Sequence, residues 1–375
     1  MHTKSWTARA VLSAGFAAAS LTMLGCGASS STPPSTPPST SPGTPPATPP
    51  NTYLYVGIGE TFPSNPFAPP AGLVAQFRVE DNGTLTALNT ASTGGAVPYF
   101  AAEVTPSNQY LFFPNGAISE FEIGSDGTLT TTSAPTAAGT SIAFVPGGSL
   151  ALIATPSDAT LNSYILSSSG ALTPVSSVAT GGYSQYVAVD PSGKFAYVSD
   201  TDDGKILEYT ISSSGDLAAI GSIATEGYDP LTVVVSPAGF LYCANVNGPG
   251  SVAQFSVNAS TGALSLVNSY SPGGGPLWIS FNPAGTYAYV GSGAEISQFT
   301  VDGTTGTLIS NGTTPAPTGG ILWGAVDPSG RFLFAAGVDG IVSQYLISSE
   351  GTLIPNGSVS LGPNMVAETL AFAQR

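Results

Sequence analysis

The chain has 375 residues, 42% of them hydrophobic and only 8% charged, with 46 Gly and 32 Pro. That blend argues for an all-β fold dense in tight turns and against a helical bundle. The formal net charge is −15, and beyond the first 25 residues 22 acidic side chains face five basic ones, Arg78, Lys194, Lys205, Arg331 and Arg375, a balance that repels phosphate backbones and argues against a nucleic-acid partner.

Residues 1–9 carry Lys4 and Arg9, and residues 10–24 are small and apolar. Fifteen such residues are too few for a spanning helix, which needs about 20. They read as the core of a signal peptide over residues 1–25. The stretch ends in Met23-Leu24-Gly25-Cys26, which resembles a bacterial lipobox. That resemblance implies a mature N-terminus at Cys26 bearing several acyl chains, so the expected partner is a membrane, held stably from its extracytoplasmic side. In a host with two membranes, the resemblance extends to sorting: Gly27 after the Cys matches no retention pattern, which implies the outer membrane or the cell surface.

Residues 26–51 continue as a Pro/Ser/Thr-rich segment without apolar periodicity, so no packed structure is expected there. Its Pro-Pro pairs favour polyproline II, and an extended stalk of this length holds a domain about 60–70 Å from its anchor.

From residue 52 onward the chain repeats itself. A Gly-x-Leu element recurs at Gly83, Gly127, Gly170, Gly215, Gly262, Gly306 and Gly351, at steps of 43–47 residues. Pro-x-Gly punctuates the intervals at Pro191, Pro237, Pro283 and Pro328, with looser versions at Pro106 and Pro146. An aromatic side chain marks a short alternating run in each unit, at Phe77, Phe121, Tyr164, Tyr209, Phe255, Phe299 and Tyr345.

Each unit reads as four short antiparallel strands. In residues 184–223 these are SQYVAVD, KFAYVSD, KILEYTI and DLAAIGSI, joined by a Pro-Ser-Gly turn, a polar loop and a Ser-Ser-Ser-Gly hairpin. Units of about 45 residues with four strands are propeller blades, which bury both faces only by stacking in a ring. Residues 52–375 therefore predict a seven-bladed β-propeller. Its opening segment Thr52–Val56 matches a second strand, and its last segment Glu368–Phe372 matches a first strand. The C-terminal strand is expected to complete the N-terminal blade. The repeated leucines and aromatics read as scaffold, so function is expected where the blades differ.

Cys243, the one cysteine left after Cys26, lies in the apolar run Phe240–Cys243 and reads as a small core residue. The repeat resembles the seven-bladed lactonase family, which includes a bacterial 6-phosphogluconolactonase and a fungal muconate cycloisomerase. The likeness rests on an inner strand ending in Pro-x-Gly, an apolar second strand and Gly-x-Leu before the fourth. It implies a lactone hydrolase with an Arg-His pair on the inner strands at the channel mouth. Here the Arg place holds Phe100, Thr140, Gln185, Leu231, Leu277 and Leu322, and the His place holds Ala101, Ser141, Tyr186, Thr232, Trp278 and Trp323. The C-terminal strand offers Glu368 and Thr369, and the one histidine of the chain, His2, lies in the leader.

Hydrolysis needs a base for water and donors for the oxyanion. Glu103 and Glu368 are the inner-strand candidates for the base. Tyr186, Trp278, Trp323 and Phe100 are the candidates for an aromatic mouth that stacks on a sugar or an apolar ligand, the alternative being bulky side chains that plug the channel. Asp200, Asp202 and Asp203 form a short acidic loop that could offer oxygen ligands to Ca²⁺ but lacks a downstream bidentate Glu, and a solvated turn is the plainer reading. The long loop 58–72, with Phe62 and Phe67, is a candidate lid. No cofactor is expected. Three functions follow as expectations: a tethered module that binds a saccharide, an envelope component or a partner protein at the channel mouth; a lactonase of the family type; and a bare structural scaffold.

Overall fold

The second strand of each unit is a nearly unbroken apolar run, and such runs must be covered on both faces. In the computed structural model Phe195–Asp200 and Phe332–Gly337 are buried at all six positions. The structure describes residues 50–60, 72–94, 101–132, 137–316 and 320–375, all within one compact unit, Pro50–Arg375. Cys26, Phe62, Phe67 and Phe100 lie outside the described residues.

The strands form seven antiparallel four-stranded blades. From the inside outward, blade 1 combines Met365–Gln374, Thr52–Glu60, Leu73–Val79 and Leu85–Ser92. Blade 3 runs Ser141–Phe144, Leu150–Thr155, Thr160–Leu166 and Leu172–Ala179, and blade 4 runs Ser184–Val189, Phe195–Asp200, Lys205–Ile211 and Leu217–Ala224. Blade 5 begins at Tyr228–Val235, blade 6 at Pro276–Phe281 and blade 7 at Ile321–Val326, each followed by three further strands in order.

Blade 2 is the irregular one. Its inner strand is only Glu103–Val104, and its middle strands form one continuous segment, Tyr110–Ile123, folded back so that the Ile123 amide donates to the Gln109 carbonyl at 2.8 Å. Its outer pieces are Leu129–Thr131 and Ala138–Gly139.

The ring closes as the partial copies at the two ends of the repeat require. Tyr53 pairs with Ala373, Val56 with Leu370 and Gly57 with Thr369. The Asn51 and Arg375 backbones exchange two hydrogen bonds of 2.9 Å. Each innermost strand touches the next around the ring, and Met365–Gln374 touches both the blade 7 and the blade 2 inner strands.

The Gly-x-Leu glycines serve this ring in a way that turn geometry alone does not explain. Gly127 adopts φ +79° and Gly262 φ +77°. A Cβ on Gly127 would lie 2.1 Å from the Tyr53 ring of the preceding blade, and one on Gly262 2.2 Å from Phe195. The carbonyls of the same glycines accept hydrogen bonds from Tyr55 Oη at 3.0 Å and Tyr197 Oη at 2.9 Å. The hairpin glycine is thus both a left-handed turn residue and the contact plate between neighbouring blades.

Candidate functional site

All seven inner strands line a central cavity of about 300 Å³, with Glu103, Ile142, Val187, Val234, Ser280 and Ala325 among its walls. The inner strands of blades 1, 4, 5, 6 and 7 each carry a register break near their start, whereas that of blade 3 pairs without one. Gln185 and Tyr186 together face Ser199, and Leu231 and Thr232 face Ala244. Leu277, Leu322 and Glu368 are single extra residues on blades 6, 7 and 1. The bulges fall on the places where the sequence comparison sought an Arg-His pair. A bulge re-aims the side chains it carries, so what occupies these places decides what the mouth can do.

Most of the polar groups there hold the ring together. The Thr369 hydroxyl accepts from the Ala102 amide at 3.2 Å, joining blades 1 and 2. Thr140 Oγ1 donates to the Gln185 carbonyl at 3.0 Å, and Ser141 Oγ accepts from the Val187 amide at 3.2 Å, joining blades 3 and 4. Ser199 Oγ donates to the Leu231 carbonyl at 2.8 Å and Thr232 Oγ1 to the Leu277 carbonyl at 2.7 Å. Ser280 Oγ accepts from the Val326 amide at 3.0 Å. These hydroxyls are spent on blade-to-blade bonds.

The aromatic candidates separate. Tyr186 of blade 4 and Trp323 of blade 7 stack across the channel, centroids 5.9 Å apart and planes 9° apart. Tyr186 is buried while Trp323 keeps part of its surface open. Burial pushes the Tyr186 phenol upward, opposed by a hydrogen bond with Thr232, so it stays neutral at physiological pH. Trp278, expected at the mouth, turns away from the lumen. It has no exposed surface, and its indole slots into the seam between blades 6 and 7. A Cβ on Gly291 or Gly324 would come within 2.0 and 2.3 Å of its ring. The two glycines make that slot, and Trp278 is a core residue.

Of the two carboxylate candidates, only Glu103 lines the lumen. The places three residues before the turn prolines hold Glu103, Ala143, Ala188, Val234, Ser280 and Ala325, so one carboxyl stands in a layer of small side chains. Burial alone pushes Glu103 up to about 7, and among the described residues no cation or donor opposes that shift. Glu368 is the bulge residue of its strand, half-buried, and the lumen takes Leu370, Ala371 and Phe372 from that strand instead.

The acidic loop is occupied by the chain's own cation. Lys205 Nζ lies 2.5 Å from Asp203 Oδ2 and 3.7 Å from Asp200 Oδ2. Asp200 is fully buried whereas Asp202 and Asp203 are exposed, and among the described residues no group of three His, Cys, Asp or Glu side chains is placed to hold a metal ion. Cys243 is buried and its thiol is pushed well above the usual range by desolvation, an inert core residue.

Comparison with known proteins agrees with this architecture. A provisionally named 6-phosphogluconolactonase of Bacteroides uniformis superposes with a TM-score of 0.72 at 20% identity, covering 86% of this chain and 99% of that one. A similarly named protein of Bacteroides fragilis gives 0.71 at 19% identity over 88% and 100%. The periplasmic gluconolactonase of Pseudomonas aeruginosa gives 0.70 at 17% over 85% and 99%. At these identities the likeness is one of fold. No curated protein matches the sequence. The family described as "Lactonase, 7-bladed beta-propeller" matches residues 150–260 and 246–365, and the chain belongs to that family.

Proposed function

We propose that this chain is a ligand-binding rather than a hydrolytic member of its family, displayed outside a membrane by lipid on Cys26 and a proline-rich stalk. The observation that carries the reading is the fate of the mouth positions. Where the family resemblance implies Arg and His, Ser141, Thr232 and Thr369 tie neighbouring blades together, and Tyr186 and Trp323 stack on each other across the opening. A phosphorylated sugar lactone needs cations for its phosphate, and none of the five basic residues of the folded region lines the lumen. The ligand classes consistent with this surface are a saccharide, an envelope component or a partner protein.

A steady-state assay on glucono-δ-lactone and 6-phosphoglucono-δ-lactone tests the reading. The expected result is hydrolysis no faster than in buffer. One observation favours the second reading, a lactonase: the Glu103 carboxyl, which no cation among the described residues opposes and which is raised to about 7, has the protonation balance of a general base at neutral pH. The structural relatives named as lactonases point the same way. Turnover that disappears in Glu103→Gln would establish that reading and defeat the first.

The anchoring has its own test. Cys26→Ala is expected to move the protein from the membrane pellet to the soluble fraction and to abolish incorporation of radiolabelled palmitate. A substituted protein that stays in the pellet through a carbonate wash would refute lipid attachment at this residue.

A further inference from the structure

The seven repeated aromatics should share one environment, and six of them do. Phe77, Phe121, Tyr209, Phe255, Phe299 and Tyr345 are 0–6% exposed. Tyr164 of blade 3 is the exception: it is only partly buried, as is Asn162 two residues before it, whereas the corresponding Ala75, Ser119, Leu207, Ala253, Ser297 and Ser343 are all buried. Tyr164 and Asn162 both line a groove against blade 2. Among the described residues the outer part of blade 2 consists of Leu129–Thr131 and Ala138–Gly139, and Ala117, Ala137 and Ala138 are what it sets against blade 3. The result is a cavity of about 510 Å³, larger than the central one.

Its floor is organised. Thr160, Asn162 and Tyr164 alternate along one strand, so their side chains share a face at about 7 Å intervals. Ser177 pairs directly with Asn162, and Thr155 with Thr160. The Asn162 amide nitrogen donates to Thr155 Oγ1 at 3.1 Å and to Thr160 Oγ1 at 3.0 Å, which fixes the amide and leaves its carbonyl oxygen as an oriented acceptor. Thr155 is itself held by donating to the Ala138 carbonyl at 2.9 Å. Asp158 adds a carboxylate to the lining, no cation does, and Ala159 beside it adopts the left-handed φ of +49°.

We propose that this groove between blades 2 and 3 is a saccharide-binding site, taking a neutral oligosaccharide whose ring stacks on Tyr164 and whose hydroxyls meet Asn162 and Asp158. The inference rests on the binding reading above and names its site and ligand class. A partly exposed aromatic ring in the groove wall beside a preoriented amide suits a sugar's alternating C–H and O–H surfaces. The lone carboxylate, in a chain this acidic, disfavours anionic sugars. In the central cavity the two aromatic rings, Tyr186 and Trp323, are stacked on each other.

Titration calorimetry of the full-length protein in detergent tests this. The probes are cellohexaose, N-acetylchitohexaose and maltohexaose, with hexagalacturonate as the anionic control. At least one neutral probe is expected to bind and the control is not. Tyr164→Ala and Asn162→Ala are each expected to weaken binding at least tenfold, and Tyr164→Phe to retain it. Should Tyr164→Ala fold poorly, Asn162→Ala and the surface change Asp158→Asn carry the comparison. Absence of binding to all three neutral probes overturns the proposal. Binding that survives Tyr164→Ala and Asn162→Ala but is lost in Trp323→Ala would place the ligand at the channel, overturning the groove while leaving the binding function standing. Lactone turnover in the assay above would instead strike the binding function itself.

Discussion

Deleting residues 366–375 is expected to leave an insoluble or rapidly proteolysed protein without a cooperative thermal transition. Those residues are the inner strand of blade 1, with Val366, Ala367, Thr369, Leu370, Ala371 and Ala373 buried. Their loss bares the whole inner edge of Thr52–Glu60, which now pairs with them. It also removes the wall that blades 7 and 2 pack against. Each buried aliphatic side chain contributes about 1.5–3 kcal/mol, and a folded domain has only about 5–15 kcal/mol in hand. The hydrogen bonds lost with the strand add unsatisfied backbone groups along an exposed edge, the geometry that recruits other chains. Limited proteolysis and circular dichroism melts of the truncated and intact proteins decide the matter. A soluble truncate that melts in one sharp step would mean that the ring does not depend on its C-terminal closure.

The ring was legible because its marks are local and repeated. Gly-x-Leu and Pro-x-Gly fix hairpins wherever they fall, and a first strand at one end with a second strand at the other leaves only one way to complete a blade. The same marks gave half of the glycines' meaning. That Gly127 and Gly262 also bear on the preceding blade's Tyr53 and Phe195 is a contact between positions some seventy residues apart, which no local pattern announces.

The site was less legible, for a related reason. Tyr186, Trp278 and Trp323 stand at equivalent places in the repeat, and sequence alone gives them one role. Packing gives them two: Gly291 and Gly324 open a slot that draws Trp278 out of the channel, while Tyr186 and Trp323 meet across it. Glu368 falls on a bulge, which turned one of the two expected bases away from the lumen. Tyr164 reads as scaffold because it belongs to a repeated set. It lines the groove facing Ala117, Ala137 and Ala138 of blade 2, small side chains that sit in a different repeat from the tyrosine they leave partly open.

Glu103 gives the second large effect. Its carboxyl is raised from about 4.5 in a solvated chain to about 7 in the folded one, by burial alone. A group raised in this way binds its proton more tightly when folded. It therefore adds stability below pH 4.5, loses that contribution progressively between pH 4.5 and 7, and adds nothing further above. A shift of this size corresponds to at most about 3 kcal/mol, reduced by whatever water the lumen admits. Glu103→Gln keeps the shape and removes the charge. Its stability is expected to match that of the parent near pH 4 and to exceed it by up to about 3 kcal/mol at pH 8. Glu120, Glu208 and Asp200 are raised by burial as well, but they are common to both proteins and cancel in the difference. Urea midpoints across pH 4–8 for the pair measure it directly. Parallel curves would mean that Glu103 is solvated or paired in the folded protein, and would remove the raised carboxyl on which a lactonase reading of this channel depends.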